Sequence, residues 1–205
     1  MNKIWEKLKS IICVIVNSLY ESILRYRLHN HDFSILCSNC AGGVISNRLG
    51  KEFRSPTVNL WMRQRDFLKL AAHLKTYLSY ELEFVDSEHD YPVARLHDVL
   101  IYFNHSKSAD EAAADWDRRK PRINYDNLFL LMYDRENLTL EELREIEEIP
   151  CRGRIIFSDK ERPELDYVVT MKTTDRPMSA QCMDKNWLGI RSFERQFDFV
   201  KWLNQ

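Results

Sequence analysis

Short unbroken apolar runs, each set off from the next by a helical segment, restrict this chain more than any other feature of its sequence. Phe33–Cys37, Val99–Phe103, Leu128–Tyr133 and Arg154–Phe157 are bounded by turn residues and too short for helices, so they read as strands. Glu81–Val85 adds another strand, and Tyr167–Thr170 reads as an edge strand. Between them lie amphipathic helical patterns. One runs from Arg65 to Leu78 with Phe67, Leu70, Leu74, Tyr77 and Leu78 on one face. Ser108 with Glu111, and Thr139 with Glu142, are capping boxes that open two more helices, the first of which must end before Pro121. Ser192 opens a last helix, with Phe193, Phe197 and Val200 as its docking face. Strands alternating with helices predict an α/β fold: three layers, a mostly parallel sheet with helices on both faces, and Phe33–Cys37 as a central buried strand. Such sheets bind ligands beyond the carboxyl ends of their strands.

Residues 1–28 stand apart. Ile4, Leu8, Ile11, Ile12, Ile15, Leu19, Ile23 and Leu24 recur at helical spacing, so 1–30 is read as an N-terminal amphipathic helix and 31–205 as a single α/β domain. The continuous apolar run Ile11–Val16 falls far short of the ~20 residues of a membrane span. No small-residue cleavage site follows it; the helix runs into Glu21, Arg25, Tyr26 and Arg27. It is expected to dock on its own or a partner's core, or to lie in a membrane interface with Trp5, Lys3, Lys7 and Lys9 near one end.

A chain of 205 residues can bury one substantial core. Its net charge of −1 provides no global field for a polyanion, and nucleic acid is not expected as a partner. Five cysteines without a framework argue against a disulfide scaffold and for reduced thiols in the cytoplasm.

The chemistry concentrates in Ser38-Asn39-Cys40-Ala41-Gly42-Gly43, a turn from the first strand into a short helix at Val44–Leu49. A thiol there sits near a helix N-terminus, where backbone N–H groups and the helix dipole stabilise a thiolate or a bound anion. Gly42 and Gly43 allow positive φ and close ligand approach, and Asn39 could donate to an oxyanion. A buried packing cysteine is the alternative. Cys37-Ser38-Asn39-Cys40 has C-x-x-C spacing, but its first cysteine belongs to the strand, which disfavours a redox pair. Zinc would need four ligands that the spacing of His29 and His31 does not provide, so no metal is expected.

His105 lies after a strand and just before a helix, where α/β proteins present a catalytic base. Arg118, Arg119 and Arg122 form a cationic cluster at the far end of that helix, suited to a phosphate or carboxylate. About 11 residues of helix separate the two ends by roughly 16 Å, so His105 and Arg119 should not both touch one small group unless the chain after Pro121 folds back, whereas a long, nucleotide-bearing molecule could span them.

Taken in order, Ser38–Gly43, Ser55-Pro56-Thr57 with Asn59, Tyr91-Pro92-Val93, His105, Trp116 with Arg118-Arg119, and Arg122-Ile123-Asn124 resemble the bacterial domain-of-unknown-function family 1919. Members are often labelled exopolysaccharide or capsule biosynthesis proteins. The resemblance covers about Phe33 to Phe157. Ala41 stands where a tryptophan is expected, Ser106 where an aromatic is usual, and Asp117 where an asparagine is expected. The resemblance implies that Asn39, Cys40, His105 and Arg119 share one site and that a sugar or polysaccharide precursor is the partner; it supplies no reaction.

Together these readings predict an acyltransferase of surface-polysaccharide synthesis with Cys40, His105 and Asn39 in the catalytic centre. Ser38, Gly42, Gly43, Arg118, Arg119 and Arg122 would hold the co-substrate, a coenzyme A thioester, with no tightly bound cofactor. A nucleotide-sugar-dependent glycosyl or phosphosugar transferase, its diphosphate cradled by the glycine turn, is the rival reading. The third is a non-enzymatic assembly subunit recruited through residues 1–28. The protein is expected in the cytoplasm, with peripheral contact to the inner face of the membrane open to it.

Overall fold

The computed structural model describes residues 3–174 and 176–205, with the side chains of Lys3 and Ile4 not described. In chain order the elements are α1 (Lys3–Arg27), β1 (Ser34–Cys37), α2 (Ala41–Arg48), β2 (Trp61–Met62), α3 (Gln64–Ala72), α4 (Leu74–Tyr77), β3 (Glu83–Val85), β4 (Val93–Leu96) and β5 (Val99–Tyr102). They continue with α5 (Ala109–Arg119), β6 (Leu128–Tyr133), α6 (Leu140–Glu145), β7 (Gly153–Ser158), β8 (Val168–Thr170), α7 (Met178–Met183), α8 (Ser192–Gln196) and α9 (Phe199–Leu203). The first two residues of the predicted N-terminal helix lie outside the described residues.

The fold is α/β, but its strands divide between two sheets. A parallel sheet has the order β1-β6-β7-β8, and an antiparallel sheet has the order β2-β5-β4-β3. The expectation of one mostly parallel sheet is corrected: the strands expected at Glu81–Val85 and Val99–Phe103 belong to the second sheet. The cause is local. β4 and β5 are joined by the two-residue turn His97-Asp98, with Leu96 opposite Val99 and His97 at φ 58°. A hairpin needs that positive φ, and here a histidine adopts it in place of the usual Asn-Gly or Asp-Gly. β1 is also an edge strand rather than a central one, pairing only with β6, although all four of its residues are buried.

The side chains of the parallel sheet alternate between two cores. Leu36, Leu128, Leu130, Met132 and Ile156 share one with the antiparallel sheet, Phe67 and Leu70 of α3 and Trp116 of α5. Ile35, Cys37, Phe129, Leu131, Tyr133 and Phe157 share the other with Ile45, Leu24, Phe193 and Trp202 of the flanking helices. Period-two alternation in strands buried on both faces explains why β6 is apolar at every position.

Ser108 and Thr139 cap α5 and α6 as their spacing predicts, each accepting from a backbone N–H three residues on. The helix expected over 65–78 is interrupted at His73, which has left helical geometry. The expected last helix is two short ones, α8 and α9, with Asp198 capping the second.

One buried ion pair joins the helices behind the parallel sheet. Arg48, at the end of α2, donates through Nε to Glu194 of α8 at 2.8 Å and through Nη1 to Glu21 of α1 at 3.0 Å. The Glu194 side chain is wholly buried, and without it the largely buried Arg48 guanidinium keeps only the part-exposed Glu21 as an anionic partner. Glu194→Ala should therefore lower stability by about 3 kcal/mol in urea unfolding, the low end for a broken buried pair. A loss below about 1 kcal/mol would mean that Glu21 and water suffice for Arg48.

Candidate functional site

The site lies at the carboxyl end of β1. Ser38 N–H still donates to the Leu131 carbonyl of β6, at 3.4 Å, and the chain then turns directly into α2. Asn39 locks that turn: its Oδ1 accepts from the Ala41 N–H at 2.9 Å and from the Cys37 thiol at 3.2 Å. This holds Cys40 as the residue preceding α2, whose aligned peptides favour negative charge at that end.

The helix starts three residues earlier than its sequence suggests, so Gly42 and Gly43 lie inside it and neither has positive φ. The positive φ expected of them is corrected: both are helical, and their small size serves close packing. A Cβ on Gly42 would lie 3.0 Å from Cys37 Cβ, and one on Gly43 only 2.5 Å from Asn59 Oδ1. The glycines bring α2 down onto β1 and onto the 55–59 loop. That loop is itself tied to the strand, because Thr57 Oγ1 accepts from the Cys37 N–H at 3.1 Å and pairs with Ser55 Oγ.

His105 arrives from the other sheet. β5 ends at Tyr102, a turn closes with Ser106 N–H donating to the Phe103 carbonyl, and the imidazole is presented at the surface. Its Nε2 stands 3.1 Å from Cys40 Sγ. Thiol and imidazole are therefore within proton-transfer distance, although they lie 65 positions apart in the chain.

Arg119 comes close as well. His105, Trp116 and Arg119 line one small cavity of about 60 Å³, together with Pro56, Asn59 and Asp115. The 16 Å separation inferred from helix length did not allow for side-chain direction. Arg119 folds back toward the start of α5, its guanidinium meeting Asp115 one turn earlier and the Val58 carbonyl at 3.2 Å. Arg118 is exposed and pairs with Asp115, while Arg122 binds Glu52 and the Phe53 carbonyl; neither lines the cavity.

Arg191, which carries no signal in the sequence, precedes α8 and lines a cleft with Cys13, Asn17 and Glu21, from where its charge acts on Cys40 through space. Burial pushes the Cys40 thiol above its ordinary value, and the positive charge of Arg191 pulls it back down. Burial drives Cys37 and Cys182 up to about 12, Cys37 despite the backbone around Asn39 and Gly42 and the charge of Arg135, which pull the other way. Several buried polar atoms here have no protein partner: Ser38 Oγ beside the thiol, Tyr133 Oη, and Trp116 Nε1 and Arg119 Nε around the cavity. Buried polar groups are normally satisfied, so such a concentration marks a place for water or a ligand. Among the described residues, no group of three or more His, Cys, Asp or Glu is placed to hold a metal ion.

A thiol beside an imidazole, at a helix N-terminus and at the carboxyl edge of a parallel sheet, defines a cysteine–histidine site. Against known proteins, a family model described as "Domain of unknown function (DUF1919)" matches residues 11–204, and the chain belongs to that family. The match extends well past the Phe33–Phe157 stretch that carries the motifs, taking in most of α1 and the tail that supplies Arg191. An "Uncharacterized protein" of Haemophilus influenzae is similar at 31% identity over 202 residues, 98% of each chain.

Thiol chemistry should follow this geometry. In the folded protein, alkylation should reach Cys40 but leave Cys37 and Cys182 untouched until denaturant is added, as peptide mass mapping would show. Because Arg191 lowers the Cys40 thiol, Arg191→Gln should shift the pH profile of Cys40 alkylation to higher pH. An unchanged profile would remove Arg191 from the site.

Proposed function

We propose that the protein is a thiol-dependent transferase that acylates a sugar during surface-polysaccharide synthesis. The observation that carries this reading is the 3.1 Å approach of Cys40 Sγ to His105 Nε2. With its pKa raised, the thiol is protonated at neutral pH and needs a base to become a nucleophile. The His105 imidazole is that base.

In the first half-reaction Cys40 Sγ bonds to the carbonyl carbon of an acyl-coenzyme A, its proton passing to His105 Nε2. The tetrahedral oxyanion collapses with cleavage of the bond to the coenzyme A sulfur, which leaves as the thiol with that proton. In the second, a sugar hydroxyl gives its proton to His105 and attacks the Cys40 thioester. The ester is released, and Cys40 regains the proton.

Oxyanion stabilisation falls to Asn39. The Ala41 N–H is engaged by Asn39 Oδ1, which leaves the Asn39 Nδ2 amide, the donor expected from the sequence, for the oxyanion. Trp116 Nε1 and Arg119 Nε, both lacking protein partners, suit polar groups of the acyl donor or acceptor. The cavity they line holds a small polar group and not a nucleotide, so the nucleotide end of the donor would rest outside it, nearer Arg118 and Arg122. The polysaccharide assignment draws on the names given to family members. All five cysteines are unpaired, which suits the cytoplasmic side of such a pathway.

Intact-mass spectrometry after incubation with acyl-coenzyme A is the direct test. A single acyl adduct should form on the wild type, be absent from Cys40→Ala, and form about 10²–10⁴-fold more slowly in His105→Ala. An adduct that persists in Cys40→Ala, or a wild type inert to a panel of acyl donors, would overturn the covalent route.

A further inference from the structure

We propose that α1 is an interfacial helix that lays this protein on a membrane of anionic phospholipid. The inference is independent of the chemistry assigned to Cys40.

The helix has 25 residues and is about 37 Å long. Its second half docks on the body: Tyr20, Leu24 and Leu28 join the core behind the parallel sheet, and Glu21 meets Arg48. The opposite face is uncovered. Leu8, Ile15, Leu19 and Tyr26 follow one another at spacings of seven, four and seven residues, which places them on a single line along the helix. Trp5, Ile11 and Ile23 widen that line into a stripe, and all seven side chains are exposed, Tyr26 by 87%. Every side chain from Trp5 to Ile11 is exposed, so this end stands clear of the body. A continuous apolar stripe of this length on a protein surface calls for an apolar partner.

Charge decides which partner. Lys7 and Lys9 border the stripe near its start, and Arg25 and Arg27 border it near its end. The acidic residues of the helix, Glu6 and Glu21, fall on the docking side instead. Arg25 and Arg27 also contact Glu21 and Asp198, but as exposed surface pairs that hold little energy. A second copy packed stripe to stripe, in either direction, would set basic borders against basic borders. An anionic lipid surface meets the same borders with opposite charge, and aromatic residues near both ends, Trp5 and Tyr26, suit the headgroup boundary. No described helix is long and apolar enough to cross a membrane, so the helix would lie on the surface.

Co-sedimentation of the full chain with vesicles tests this. Wild type should pellet with phosphatidylglycerol–phosphatidylethanolamine vesicles, much less with phosphatidylcholine, and should be released by high salt. Leu8→Glu/Ile15→Glu should abolish binding, and Lys7→Glu/Lys9→Glu should weaken it at least about tenfold. All four positions are exposed, so circular dichroism and melting should be unchanged and any loss of binding can be read directly. Failure of the wild type to pellet with anionic vesicles, or equal binding by the charge-reversed variant, would overturn the assignment. So would a concentration-dependent dimer that Leu8→Glu/Ile15→Glu dissolves, with no vesicle binding; that result would give the stripe to a second copy.

Discussion

The rest of the structure depends on the parallel pairing of β1 with β6. Ser34 lies opposite Leu128 and Cys37 opposite Leu131, so the whole antiparallel sheet and α5 are looped out between two neighbouring strands. Closing so long a connection costs chain entropy, which the apolar strand residues offset by filling cores on both faces. The same closure brings the carboxyl end of β1 beside the inserted sheet. Cys40 belongs to the first strand and His105 to the insert, so neither could meet the other without that pairing.

The turn after β1 is held by several short-range bonds rather than one. Asn39 closes the turn onto the Ala41 N–H, Thr57 holds the last strand amide, and two glycines let the helix sit directly on the strand and the 55–59 loop. These contacts set the position of the thiol; imidazole and guanidinium then approach from separate elements. Such an arrangement suits a group that must meet both a base and a substrate, because the groups supporting it are packed and hydrogen-bonded. The buried polar atoms left without protein partners around it are the expected cost of a site built to receive something else.

Side-chain direction accounts for the largest revision at the site. Counting residues along α5 placed His105 and Arg119 far apart, yet Arg119 lies back along its helix toward Asp115 and lines one cavity with His105. Glycine spacing misled in a similar way. Gly42 and Gly43 look like a loop, but both are helical and serve to shorten a packing distance. Arg191 gave no local signal at all. Its influence on Cys40 comes through space, from a tail whose own pattern shows only a docking helix.

By itself the sequence determined the local elements: the buried strands with their doubled apolar faces, the capped starts of α5 and α6, the amphipathic α1, and the turn that delivers Cys40. Each of these rests on periodicity or on bonds made within a few residues, and such information is written in consecutive positions. Only the tertiary structure decided that the strands divide into two sheets, that β1 lies at an edge, and that His105 meets Cys40 and shares a cavity with Arg119. Strand pairing and side-chain approach are contacts between distant segments. They are selected by how well whole surfaces pack, which no short stretch of sequence encodes.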